Sequence, residues 1–277
     1  PFAGILVSAC GIIVSERIFL ALAAVSMTTM MLLRNRFFRE TSVGRHIIEE
    51  RRKNPSRADL KNILPVKAVK VFRGNGKAII AAVVYILFFT YIPLGTFNSL
   101  YFAPFMTEAL GLGKSSISIL GGVYSGVLLF AFVLINPIAG RLNHTRNMQA
   151  GLAIQAAALV ALILIPAGSL PAAVIFIIIY ALGFGIFRPY VDSMLAEVSE
   201  GNERAGVYSM VNTITCIAIA VIGFISGSVY LYNPRLIYVA SIIILAVNIV
   251  LLEIYYRLYN NTLPQRQSTK ANDRFDG

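Results

Sequence analysis

Charge is what this sequence has least of. Only 13 % of its 277 residues are Asp, Glu, Lys or Arg, while 57 % are hydrophobic. A soluble domain carries about a quarter charged residues, so an ordinary water-facing globule is excluded. Tryptophan is absent, there are two histidines, His46 and His144, and two cysteines, Cys10 and Cys216. Both cysteines lie in apolar runs, where they read as small buried side chains rather than a disulfide or metal pair. No CxxC, HExxH or Gly-rich phosphate loop occurs, so nothing calls for a metal or other cofactor. The chain opens Pro1-Phe2-Ala3-Gly4 without Met or a basic n-region, so its first apolar stretch does not read as a secretory signal. We read it as the end of a span belonging to a longer chain.

What is present is a series of long apolar blocks. A spanning helix needs about 20 mostly apolar residues. The sequence gives a partial span at 1–14 and a second at 18–33. A polar segment follows at 34–77, and then six more spans at 78–107, 115–136, 148–165, 171–190, 205–230 and 236–252. Lipid offers no partner to an unpaired backbone group, and these runs are too long for barrel strands, so the fold class is an all-α polytopic bundle. The expected organisation is 1–33 as the end of one bundle, 34–77 as a cytoplasmic inter-bundle segment, 78–257 as a six-helix bundle and 258–277 as a tail.

The net charge of +11 raises nucleic acid as a partner, but the placement of the charge argues against it. With 34–77 on the cytoplasmic side, alternation puts 21 of the 24 Lys and Arg on that side. Arg17, Lys114 and Arg235 remain opposite. That asymmetry is the positive-inside signature, and a miscounted span would have mixed the two sides. The basic charge reads as topology and contact with anionic lipid. The chain is thus expected to be an integral, multi-pass protein of the plasma (inner) membrane, with the long loop and carboxyl terminus cytoplasmic.

Within 34–77, Ser56-Arg57-Ala58-Asp59 resembles a capping box. Leu60, Ile63 and Leu64, and after Pro65 the residues Val66, Val69 and Phe72, form an apolar stripe beside Lys67, Lys70 and Arg73. This pattern predicts a basic amphipathic helix on the membrane surface; the alternative is a plain linker.

No Asp, Glu, Lys, Arg or His lies near the middle of any of the last six spans. Arg188 and Asp192, four apart, sit near the inner end of one span and form a candidate charged pair, although Pro189 between them would disturb the helix. Arg141 and Arg146 in a short loop are further gating candidates. The span interiors instead carry neutral polar and aromatic groups. Tyr91, Asn98, Tyr101, Tyr124, Tyr180, Phe184, Asn212 and Thr215 are the candidates for a substrate cavity, with Gln155 in a neighbouring span. Such groups avoid lipid and face either protein or a water-filled space. Pro93 and Gly95 are placed to bend the first of the six spans. Gly122/Gly126 and Gly223/Gly227 form GxxxG patterns, expected to let helices approach closely.

Several local sequences resemble the second half of a major facilitator superfamily transporter. Tyr101-Phe102-Ala103-Pro104-Phe105 through Leu110-Gly111-Leu112 is similar to the outer end of that family's seventh helix. Asn136-Pro137-Ile138-Ala139-Gly140-Arg141-Leu142 resembles the inner end of its eighth, entering the second copy of its loop motif. Gly183-Phe184-Gly185 with Arg188-Pro189 resembles its tenth, and Glu203-Arg204-Ala205-Gly206 the start of its eleventh. The loop motif departs from pattern: Asn143 stands where an Asp is usual, and the Gly is absent. The resemblance implies two six-helix bundles rocking about a central site, a small-molecule substrate, a coupling ion, and an amino-terminal half as partner. It also implies that the first, fourth and fifth of the six spans supply much of the cavity. Two other readings remain at this point: a non-transporting sensor or assembly protein on the same fold, and a membrane-embedded transferase, which the isolated His46 and His144 argue against.

The sequons at Asn143 and Asn260 both fall on the basic side. Expression in a glycosylating host should leave the protein's mass unchanged by glycosidase; a shift from either Asn would overturn the span register.

Overall fold

The computed structural model describes residues 12–37, 72–73, 75–140, 143–199 and 204–272. The predicted interfacial helix lies outside the described residues except for Phe72 and Arg73, as do Arg141 and most of the partial span at 1–14. Contacts divide the chain into two units, Pro1–Leu64 and Pro65–Gly277. In the first unit one helix is described, α1 (Ile12–Phe37). It covers the predicted span at 18–33 and exposes its apolar side chains. Thr28 and Thr29 turn their hydroxyls back onto the carbonyls four residues earlier, at 2.8 Å, which hides their polarity from lipid.

The second unit is a helical bundle. Its elements are α2 (Gly76–Gly95), α3 (Phe102–Pro104), α4 (Lys114–Phe130), α5 (Asn136–Ala139), α6 (His144–Leu164), α7 (Leu170–Glu197), α8 (Arg204–Tyr232) and α9 (Arg235–Asn272). Together with α1, seven helices among the described residues are long and apolar enough to cross a membrane. The chain is therefore an all-α, multi-pass membrane protein. The last helix does not stop at the predicted tail but continues to Asn272, well past the apolar stretch that ends at Leu258.

The first of the six predicted spans is not one helix. α2 begins where the Asn75 side chain accepts the Ala78 N–H at 3.3 Å and ends at Gly95. Pro93 has no N–H to continue the ladder, and Thr96 turns its hydroxyl onto the Ile92 carbonyl at 2.8 Å. A turn through 96–101 follows, then α3 and a π-helical turn, Phe105–Ala109. A second π turn, Ala131–Ile135, joins α4 to α5 just before Pro137, where the proline ring and missing donor prevent a regular α-ladder. Asn143, the residue at the usual Asp position of the loop motif, caps α6: its side chain accepts the Thr145 N–H at 3.0 Å.

Four helices make the core in the order α6–α7–α2–α9, with α9 returning to α6. α4 packs outside on α7, and α8 outside on α2. Neighbours within the core run antiparallel, whereas α4 runs parallel to α7 and α8 parallel to α2. At one end Gly76 lies by Leu258 and Gln149 by Glu253. At the other, Gly168 (φ 79°) donates its N–H to the Leu110 carbonyl at 2.7 Å, tying two connectors together.

Among the described glycines, the closest backbone-to-backbone approach between helices is between α6 and α7. A Cβ on Gly151 would fall 2.8 Å from the Gly183 carbonyl oxygen, and one on Gly183 would fall 2.7 Å from that of Gly151. Gly185 leaves similar room for Ala131, and Gly95 for Ser241. The GxxxG patterns do not serve this purpose within the described residues. A Cβ at Gly126, Gly223 or Gly227 would meet nothing within 4 Å. Spacing alone marks a smooth helix stripe, not a neighbour on it, and these stripes face outward.

Gly151→Leu or Gly183→Leu should destabilise the bundle by about 1–3 kcal/mol or more through overpacking. Gly223→Ala should be neutral or slightly stabilising. Thermal melts followed by helical circular dichroism in detergent would check both, and equal effects would contradict the assigned contacts.

Candidate functional site

The eight cavity candidates separate into two environments. Tyr91 on α2 and Tyr180 on α7 are fully buried, and their hydroxyls share a hydrogen bond of 2.7 Å. Tyr124 on α4 lies 6.5 Å from the Tyr180 ring and stacks on Phe97 at 4.7 Å. Phe184 is half-buried; its ring lies 6.3 Å from Tyr180 and 5.9 Å from Phe88. Phe88 in turn meets Phe187 at 4.4 Å. These contacts join α2, α4 and α7 in one aromatic column. Aromatic residues fall here because α7 presents Phe176, Tyr180, Phe184 and Phe187 at helical spacing toward the same side of α2. Four of the eight candidates are therefore in packed contact with one another, and Tyr91 and Tyr180 touch no open space.

Thr215 on α8 is also buried, and its hydroxyl donates to its own helix at the Val211 carbonyl, at 2.8 Å. Tyr101, beyond the break that ends α2, is half-buried. It makes a 2.7 Å hydrogen bond with Ser226 and stacks on Tyr230 at 5.1 Å, which fastens the break to α8. Asn98 and Asn212, by contrast, are exposed.

Asn212 belongs to a face. α8 has three sides. Val207, Val211, Thr215 and Ser226 are buried. Ile214, Ile217, Val221, Phe224 and Ile225 form an exposed apolar side, with Phe224 87 % exposed. Ser209, Asn212, Thr213, Cys216, Ala220 and Gly223 form a third side, exposed, small and polar. The spacing of three and four residues keeps each set on its own stripe. α4 has a comparable exposed stripe over its first turns: Ser115, Ser118, Gly122, Ser125 and Gly126. A lipid-facing stripe in this chain is built of Ile, Val and Leu, as at Ile175, Ile178 and Ile179 on α7. The two small, polar stripes are thus unsuited to lipid and suited to water or to another protein surface.

Charged groups gather at one end. Arg188 Nη1 donates to Asp192 Oδ2 at 2.6 Å; Pro189 lies inside an unbroken α7 and does not prevent the pair. The Arg188 guanidinium also sits 5.0 Å from the Phe89 ring centroid. The Asp192 backbone carbonyl accepts the Tyr208 hydroxyl at 2.6 Å, which binds the start of α8 to α7. Both charges are partly exposed, so the pair contributes at most about 1 kcal/mol to stability. Arg146 takes no part in this pair. It lies on α6 beside Glu253 of α9, at 3.6 Å.

Sequence reasoning passed over three groups. Asn248, fully buried in α9, makes no hydrogen bond with either side-chain atom. Tyr238 is fully buried with its hydroxyl unbonded, against Phe105 at 4.7 Å. Ser226 holds Tyr101. An Asn inside the run Leu245-Ala246-Val247-Asn248-Ile249-Val250-Leu251 was visible, but nothing in a uniformly apolar run tells which side is inward. Among the described residues no three His, Cys, Asp or Glu side chains come together as a metal site.

The family model described as Major Facilitator Superfamily matches residues 86–275. No curated protein and no solved structure matches the chain.

Removing one hydroxyl of the buried tyrosine pair strands the other. Tyr91→Phe or Tyr180→Phe should each cost about 1–3 kcal/mol, and the double variant should recover most of the loss. Additive losses in a thermal double-mutant cycle would mean the hydrogen bond does not form.

Proposed function

The chain belongs to the Major Facilitator Superfamily, and from that premise we propose that it is part of a secondary transporter moving a small solute by alternating access. The observation that carries this reading is the third side of α8. Ser209, Asn212, Thr213 and Cys216 are exposed on a membrane-crossing helix whose lipid side is elsewhere. Together with the outer half of the α4 stripe and Asn98, they form the wall of a hydrated path. The aromatic column of Tyr91, Tyr124, Tyr180 and Phe184 lies behind that wall and keeps α2, α4 and α7 together as one body. Its members are assigned a supporting role in this conformation. The solute is recognised by neutral hydrogen-bonding groups, chiefly the Asn212 and Asn98 amides and the Thr213 and Ser209 hydroxyls. A neutral wall favours a neutral or zwitterionic solute, since an ion would enter without a compensating charge.

The end bearing Arg146, Arg188, Asp192 and Arg257 is assigned to the cytoplasm by the placement of Lys and Arg in the sequence. The plasma membrane is proposed as the protein's location. There the Arg188–Asp192 pair and the Tyr208 hydrogen bond hold α7 and α8 together where a gate would close. No Asp, Glu, His, Lys or Arg stands among these wall residues, so a coupling ion would be carried by residues outside it.

Cys216 gives a test that works before the solute is identified. A thiol reacts as the thiolate, which requires water. With Cys10→Ser in place, a charged, membrane-impermeant maleimide should label Cys216 in proteoliposomes. A cysteine introduced on the lipid side of the same helix, Phe224→Cys with Cys216→Ser, should resist it in the bilayer and label only after the protein is denatured in detergent. Solutes that slow labelling at Cys216 then become transport substrates to test by uptake. Equal resistance at both positions would remove the hydrated path. A solute that changes labelling but never crosses the membrane would favour the sensor reading.

A further inference from the structure

At the charged end of the bundle, on the opposite side of the core from α4 and α8, a groove of about 680 Å3 opens between α6 and α9. Its rim is polar and its wall is apolar. At the rim, Glu253 is the centre of a fixed arrangement. Gln149 Nε2 donates to its Oε2 at 3.1 Å, and Arg257 Nε to its Oε1 at 3.1 Å. Arg146 Nη1 lies 3.6 Å from Oε2 and donates to Gln149 Oε1 at 3.4 Å. The Arg146 guanidinium also rests 4.7 Å from the Tyr256 ring centroid. Both arginine side chains are more than half exposed.

Each guanidinium has five N–H donors in a planar fork. Arg257 spends its Nε and Arg146 its Nη1 on the rim, so both keep further donors that no rim group takes. Two cations held by one carboxylate leave the rim with a positive excess. Arg forks of this kind match the oxygens of a phosphate. Below the rim the wall is Ala150 and Ala153 on α6 facing Ile249, Val250 and Ile254 on α9. The two alanines make the recess: larger residues there would fill it. A free phosphate has no use for an apolar wall. A lipid acyl chain does, and the groove opens sideways, where the bilayer lies in a chain that spans it.

We propose that the groove between α6 and α9 binds one anionic phospholipid, its phosphate held by Arg146 and Arg257 and one acyl chain laid between Ala150/Ala153 and Val250/Ile254. Glu253 and Gln149 act as positioning residues: they aim the two guanidiniums without touching the lipid phosphate. The site is distinct from the proposed solute path and rests on the chain crossing a bilayer, not on what it transports. Its occupancy would bridge α6 to α9, the two helices that close the core.

The absence of tryptophan supplies the experiment. Val247 is exposed one turn deeper than Val250 on α9, so Val247→Trp makes a single reporter beside the groove. The full chain is placed in nanodiscs of phosphatidylcholine, and phosphatidylglycerol with brominated acyl chains is titrated in. Quenching should saturate, with an affinity about tenfold or more above that of brominated phosphatidylcholine. Arg146→Gln with Arg257→Gln should abolish the preference. Ala153→Phe should weaken quenching by both lipids while leaving the rim charge intact, and gives an independent reading if the double variant folds poorly. Equal quenching by the two lipids would overturn the proposal. So would a preference that persists in the double variant, since general attraction to the basic side would then explain it. Displacement of the preference by millimolar inorganic phosphate would reassign the rim to a free anion and overturn the lipid site.

Discussion

Between Gly151 and Gly183 there is no space for a methyl group: a Cβ on either would fall within 2.8 Å of the other's carbonyl oxygen. This backbone-on-backbone contact sets where α6 and α7 sit, and much follows from it. Because α7 is drawn against α6, the adjoining side of the helix carries Tyr180, Phe184 and Phe187 toward α2. Because α2 is then held, α9 can close against both α2 and α6. In lipid no hydrophobic force drives helices together, so packing of this closeness and buried hydrogen bonds carry the association. The Tyr91–Tyr180 bond is the second such tie, and it lies where both side chains are wholly enclosed.

The neutral polar residues of this chain therefore do two different jobs. Those on α2 and α7 point into the bundle and are used up in holding it. Those on the third side of α8 and the start of α4 point outward and are not. The division lets a bundle so apolar be rigid while one side keeps a small, polar surface. Rigidity comes from aromatic rings and hydroxyls paired with each other. The outward stripes are made of side chains small enough to leave a smooth surface, with hydroxyls such as Ser125 partly satisfied by their own helix at 2.9 Å.

The fold was largely legible in the sequence. The spans were set by apolar length, and the helices follow those lengths closely, apart from the break at 96–101 and the extension of α9 to Asn272. The roles of single residues were far less legible. In a predicted span that is apolar all round, periodicity is nearly flat, so Tyr91 and Asn98 look alike until the fold buries one in a helix and leaves the other exposed in the break. Glycine motifs misled for a related reason: Gly223 and Gly227 have the spacing, but the contact is made by Gly151 and Gly183, on different helices and with no motif between them. The Arg188–Asp192 pair was read correctly because four-residue spacing on one helix fixes geometry without help from the rest of the chain.

The three-sided character of α8 also bears on how the protein is made. Its length and apolarity are sufficient for it to enter a bilayer as an independent segment. At that moment the stripe from Ser209 to Gly223 has no shelter, and each hydroxyl or amide on it faces hydrocarbon. α8 docks on α2, but that contact covers a different side. The stripe stays a liability until water or a further set of helices reaches it. A nascent bundle of this kind would thus carry an unsheltered polar stripe in hydrocarbon until that partner arrives.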